Sequence, residues 1–170
     1  NVVKSFFVKY DRRLPELVDD FAQYYEKHPY KEVVFYCDST ALGSNYAVNN
    51  QDFKWVICHQ LHLHGWRVRP VYIGAPMNHL EKMLLINRGL AGQARLCPYF
   101  NEPNNQALIM SLQTAGVRNG KKDKSGEKLA ETTDDPYEFR TDGSDAFDTL
   151  YIGCERFPQG RVLLATTGSH

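Results

Sequence analysis

Three aspartates carry residue types and placements that could do chemistry. Asp38 ends the apolar run Glu32-Val33-Val34-Phe35-Tyr36-Cys37 and is followed by Ser39 and Thr40. A carboxylate at the end of a buried strand is costly to desolvate unless a cation or hydrogen-bond donors meet it. The plainer alternative is a turn residue that bonds its own backbone. Asp145 and Asp148 stand three apart in Ser144-Asp145-Ala146-Phe147-Asp148-Thr149-Leu150, whose apolar spacing is helical, so the two carboxylates share one face. A helix start relieves their repulsion only in part, whereas a divalent cation bridging them would remove it. The plainer alternative there is a solvated acidic first turn.

Basic residues lie close to this pair in sequence. Lys121, Lys122, Lys124 and Lys128 fall among Gly, Ser, Asp and Thr and could contact phosphates beside the acids, or form a solvated loop. His59, His62 and His64 are close together but lack a third ligand or an HExxH pattern, so they read as surface histidines. Arg67 and Arg69 alternate along a strand and read as surface charges. There is no phosphate-cradling Gly-Lys-Ser/Thr loop, so the sequence holds no ATPase motor, and no GxSxG surrounds a serine. Cys37, Cys58, Cys97 and Cys154 form no CxxC pair, lie within apolar segments and read as reduced core residues.

The elements that must position these residues follow from periodicity. Val2–Lys9 reads as a strand. A helix follows with Pro15 in its first turn and Leu14, Leu17, Val18, Phe21, Tyr24 and Tyr25 on one face. Glu32 to Asp38 is too short for a helix and reads as a central strand covered on both faces. The spacing predicts a second helix from an N-cap at Asn50 to a stop at Gly65, with Phe53, Val56, Ile57 and Leu61 inward. Val68–Ile73 is a strand that Pro70 assigns to an edge or a bulge. Asn78 and Glu81 open a third helix whose core side is Leu80, Met83, Leu84 and Leu90. Arg95–Phe100 is a short strand, and Pro103 starts a helix reaching about Gly116. From Val117 to Gly143 apolar periodicity stops, as in an exposed loop or hairpin. Ser144 then caps a last helix with Phe147, Leu150, Tyr151 and Cys154 inward. The alternation of strands and helices indicates an α/β fold with a largely parallel sheet, where function gathers at the carboxyl ends of strands.

Composition bounds the class. The sequence has 170 residues, 42% hydrophobic and 24% charged, which suits one domain with a sizeable core. Its 20 basic and 20 acidic residues cancel, so nucleic-acid binding would depend on local patches. No apolar run is long enough to span a bilayer and no signal peptide is evident, which reads as a cytoplasmic protein without a membrane partner. The sequence opens at Asn1 directly in an apolar stretch and reads as a piece of something longer.

A strand ending in Asp-Ser-Thr, followed roughly a hundred residues later by Ser-Asp-x-x-Asp-x-Leu, resembles the C-terminal nuclease domain of phage terminase large subunits. The opening strand, the helix starting Leu14-Pro15-Glu16-Leu17-Val18 and the strand ending in Asp38 resemble that domain too, and the similarity runs from Val2 to about Pro158. The resemblance implies a ribonuclease-H-like mixed sheet, mainly parallel and flanked by helices, here lacking its first two strands. It implies a nuclease domain over residues 1–158, a tail over 159–170 and an ATPase domain upstream. It further implies two-metal hydrolysis of DNA with Mg2+ or Mn2+. In that scheme Asp38 is the second catalytic acid and Asp148, or its neighbour Asp145, the third. The first acid lies in a hairpin preceding Val2–Lys9, outside this sequence. Lys121, Lys122, Lys124 and Lys128 fall where the family places a DNA-contacting hairpin. The implied substrate is concatemeric double-stranded DNA. The implied partners of the full-length protein are the portal protein and the small terminase subunit, at the packaging motor in the host cytoplasm. Two further readings stay open: a resolvase or transposase-like nuclease of the same fold class, and a module that docks DNA or portal without cutting.

Overall fold

The computed structural model describes residues 1–8, 12–42, 52–124 and 141–158. It is a mixed α/β arrangement with five α-helices, one parallel pair of strands and one antiparallel pair among the described residues. Strands β1 (Glu32–Cys37) and β2 (Arg67–Tyr72) run parallel, register Glu32 opposite Arg67 through Cys37 opposite Tyr72. Helices α1 (Leu14–Tyr24) and α2 (Phe53–Leu63) precede β1 and link the strands, so β1, α2 and β2 form a crossover unit. Helix α3 (His79–Leu90), helix α4 (Gln106–Thr114), a hairpin of β3 (Val117–Arg118) and β4 (Lys121–Lys122), and helix α5 (Asp142–Arg156) follow.

Alternation along β1 assigns its two faces. Val33 packs with Val68 against Val18, Phe21, Tyr25, Ile57, Leu61 and Trp66, the core formed with α1 and α2. Tyr36, of opposite parity, faces α5: a Cβ at Gly153 would come within 2.5 Å of its ring, so this close approach of helix to strand requires glycine. The expected cover on both faces is therefore present. A second core joins α3, α4 and α5 through Ile86, Leu108, Phe147 and Tyr151, with Val2, Leu96 and Phe100 packed on it. The C-terminal end of α5 is tied to the end of the sheet, since Arg156 Nη1 donates to the carbonyls of Ile73 (2.7 Å) and Ala75 (3.0 Å) and Tyr36 Oη to that of Phe157 (2.8 Å).

Several expectations are corrected. Among the described residues, the segments expected as strands over Val2–Lys9 and Arg95–Phe100 form no ladder; they meet in a single parallel bridge between Val2 and Phe100, and Lys9 lies outside the described residues. Pro98 and Pro103 flank that contact and lack the N–H that a continued ladder would need. β1 pairs along one edge with β2, and among the described residues no strand pairs with its other edge. The cap of α2 is Asp52, whose carboxylate accepts from Trp55 N at 2.6 Å, and Asn50 lies outside the described residues. Asn78 caps α3 as expected, accepting from Leu80 N at 2.9 Å, but Leu80, Leu84 and Leu90 are exposed rather than core. Helix α5 begins at Asp142, so Ser144 lies inside its first turn rather than capping it; its inward face carries Ser144, Phe147, Asp148, Tyr151 and Ile152, while Leu150 turns outward. No helix among the described residues is long and apolar enough to cross a membrane. All four cysteines are free, and burial pushes the thiols of Cys37, Cys58 and Cys154 up from their ordinary pKa. The predicted tail over 159–170 lies outside the described residues.

Candidate functional site

The first turn of α5 is fixed before any charge is considered. Ser144 N donates to Ser111 Oγ of α4 at 3.0 Å, and Ser144 Oγ donates to the Thr141 carbonyl at 2.8 Å. Gly143 permits the approach, because a Cβ there would meet Ser111 Cβ at 3.2 Å. One turn on, Asp148 is 7% exposed, a depth at which a carboxylate requires compensation.

Two ammonium groups supply it. Lys82 Nζ from α3 and Lys122 Nζ from β4 each lie 2.9 Å from Asp148 Oδ2. Lys122 also donates to Asp145 Oδ1 at 2.8 Å and to Ser144 Oγ at 3.0 Å. An ammonium has three N–H donors, so these three acceptors engage all of them. Lys124 Nζ reaches Asp145 Oδ2 at 2.6 Å. Burial pushes the Asp145 carboxyl up, but the hydrogen bonds from Lys122 and Lys124 outweigh it and leave the pKa below the usual carboxylate value.

The hairpin delivers Lys122 because its two-residue loop, Asn119-Gly120, takes positive φ at both positions (52° and 72°), the type that matches the twist of the flanking strands. Lys121 and Lys122 then differ in exposure, the first exposed and the second tucked against α5. Between α3, this hairpin and the start of α5 lies a cavity of about 170 Å³, bordered by His79, Lys82, Lys121, Lys122, Ser144 and Asp148 over an apolar floor that includes Met83 and Ile86.

The predicted residues are thus brought together in part. Asp145, Asp148, Lys122 and Lys124 form one network, Lys121 stands at its rim, and Lys128 lies outside the described residues. Asp38 follows β1, with Oδ1 3.4 Å from Ala41 N, the turn-type contact weighed for it. Among the described residues no three His, Cys, Asp or Glu side chains form a group that could hold a metal ion, so Asp38 is not gathered with Asp145 and Asp148. The reason is the seating of α5: its C-terminal half meets β1 at Gly153, while the acids occupy its N-terminal half against α3 and the hairpin. Among the three histidines, His64 Nε2 pairs with Asp19 Oδ1 at 2.7 Å and ties α2 to α1, and His59 stacks on Trp55. Arg67 is a surface charge paired with Glu32.

Sequence reasoning missed Lys82. Its signal was present, since Lys82 stands beside Met83 and four residues before Ile86, on the apolar side of the helix, and a lysine there needs an acceptor. Ser111 gave no comparable signal. No family model, curated protein or solved structure significantly matches the chain.

Proposed function

We propose that this chain is a nuclease domain of the terminase large-subunit type, acting on the phosphodiester backbone of double-stranded DNA during genome packaging. The observation that carries the reading is the Asp145/Asp148 pair, one turn apart at the start of a buried helix and faced by a lysine-bearing hairpin. Acids and phosphate-seeking cations side by side are what hydrolysis of an anionic backbone demands. The resemblance read from Asp38-Ser39-Thr40 and the Ser-Asp-x-x-Asp pattern adds the ribonuclease-H-like fold, the upstream motor and the portal and small-subunit partners.

Magnesium or manganese are the ions this reading calls for, with Asp38, Asp145 and Asp148 as the carboxylates to hold them. As arranged here the three do not offer an open ligand set. Both oxygens of Asp145 and Oδ2 of Asp148 are engaged by ammonium groups and Asp38 stands apart, so an ion bridging the two acids would have to displace Lys122. That occupation favours a second reading, a module that grips DNA without cutting it.

The test is a cleavage assay on linear, supercoiled and branched DNA with Mg2+, Mn2+ or EDTA, using the full chain and its Asp38→Asn and Asp148→Asn variants. The nuclease reading expects metal-dependent cutting of linear duplex that falls by about 100-fold or more in Asp148→Asn. Cutting confined to branched DNA would point to a resolvase. Binding without cutting under every condition would establish the docking module.

A further inference from the structure

We infer that the cavity between α3, the β3–β4 hairpin and the start of α5 is a phosphate site that works without a metal ion, and that it holds the backbone of a nucleic-acid strand through Lys82 and Lys121. The choice of a nucleic acid rests on the function proposed above; the anion preference does not.

The anion preference follows from charge. Three lysines, Lys82, Lys121 and Lys122, border the cavity against one carboxylate, Asp148, and beside them Lys124 pairs with Asp145. A pocket made for divalent cations carries surplus carboxylate; this one carries surplus ammonium. A cation entering it is repelled, whereas a phosphate balances the excess.

The donors follow from geometry. Lys122 engages all three of its N–H groups on Ser144, Asp145 and Asp148, so it acts as a strut. The contact of Lys82 with Asp148 engages one of three, and its side chain is largely buried, so its rotamer is set before a ligand arrives. Asp148 is then a positioning residue that holds Lys82 toward the cavity. The first turns of two helices, α3 at His79 and Lys82 and α5 at Ser144, border the same space and add the positive ends of their dipoles. Met83 and Ile86 supply the apolar floor beneath these charges. Arg118 carries the basic line along the hairpin beyond the cavity. One inorganic phosphate has no use for that extension, but a strand meets it with the next phosphate.

The experiment measures binding of a fluorescent oligonucleotide by the full chain in EDTA, over a series of salt concentrations. The variants are Lys82→Gln, Lys121→Gln and their double, with the exposed Lys27→Gln as control. We expect metal-free binding by the parent chain, weakened about 10-fold or more in the double variant. The slope of log affinity against log salt should become shallower by roughly two units, one per lost contact, with the control unchanged. Lys121 is exposed, so its single variant reports binding even where Lys82→Gln unfolds the chain. Inorganic phosphate, titrated as competitor, should displace the oligonucleotide only weakly; equal occupancy by phosphate alone would overturn the strand assignment. Binding that requires Mg2+, or a salt slope the same in parent and double variant, would overturn the site. Metal-free binding without any cleavage leaves the phosphate site standing and removes the nuclease reading. Cleavage without metal-free binding does the reverse.

Discussion

Lys82 Nζ lies 2.9 Å from Asp148 Oδ2, joining the first turn of α3 to the second turn of α5. With only 21% and 9% of the two side chains exposed, the pair sits in surroundings of low polarisability. Breaking one side of such a contact leaves a buried charge uncompensated, which sets its consequences apart from those of a surface ion pair.

A double-mutant cycle on this pair tests the contact directly. Asp148→Asn alone leaves Lys82 facing a neutral acceptor, while Lys122 keeps Asp145 and Ser144, and should cost about 3–5 kcal/mol in urea unfolding. Lys82→Met combined with Asp148→Asn should recover about 1–3 kcal/mol of the summed single losses. Strict additivity would mean that the two side chains do not meet.

The pH dependence of the hairpin follows from Asp145. Its pKa is lower in the folded chain than in the unfolded one, where it takes the ordinary value of 3.8. The folded state then binds fewer protons, so its stabilisation is fully present above that ordinary value and is lost as pH falls through the lower folded pKa. An Asp145→Asn chain should lack this component of acid sensitivity. Acid titration of both chains, followed by the NMR signals of Lys122 and Asp123, checks it; superimposable profiles would refute the coupling.

The hairpin turn offers a conformational test. Gly120→Val places a β-branched residue at φ 72° and should destabilise the β3–β4 turn by about 1–3 kcal/mol. The amide of Asp123, which donates to the Gly116 carbonyl at 2.8 Å, should then exchange faster with solvent. Unchanged protection would show that the turn does not fix β4.

Gly153→Ala probes the docking of α5 on β1. The new methyl would lie 2.5 Å from the Tyr36 ring, well inside contact distance, and overpacking of this kind costs about 1–3 kcal/mol. Adding Tyr36→Leu should return part of the loss by removing the ring. A chain with Gly153→Ala that melts like the parent would place α5 differently.

Much of this layout was written in local patterns. The β1 and β2 segments were legible as short apolar runs, and α1, α3 and α5 as helical stripes, with recognisable starts at Pro15 and Asn78, whereas α5 starts at Asp142 and not at Ser144. The strand assigned to Val2–Lys9 failed because composition favours an extended backbone without saying whether a partner has N–H groups to offer, and Pro98 and Pro103 withhold them. The stripe on α5 was misread at one position in particular. Hydrophobicity placed Leu150 inward and Asp148 on the face opposite the apolar stripe, whereas lysines from two other elements make the buried position of Asp148 tolerable, and Leu150 turns outward.

The sequence by itself determined that Asp145 and Asp148 share a helix face, that Asp38 closes a strand, and that lysines cluster ahead of the last helix, because these depend on spacing within a segment. Tertiary structure alone decided which charges meet. Lys82 stands 66 positions before Asp148 and Lys122 stands 26 before it, yet both ammonium groups converge on one oxygen, while Asp38 meets Ala41 N in the turn that follows its own strand. Ion pairs between distant segments follow from how α3 and the hairpin meet α5, and the seating of α3 and α4 on α5 is set by Ile86, Leu108, Phe147 and Tyr151 rather than by the charged residues it brings together.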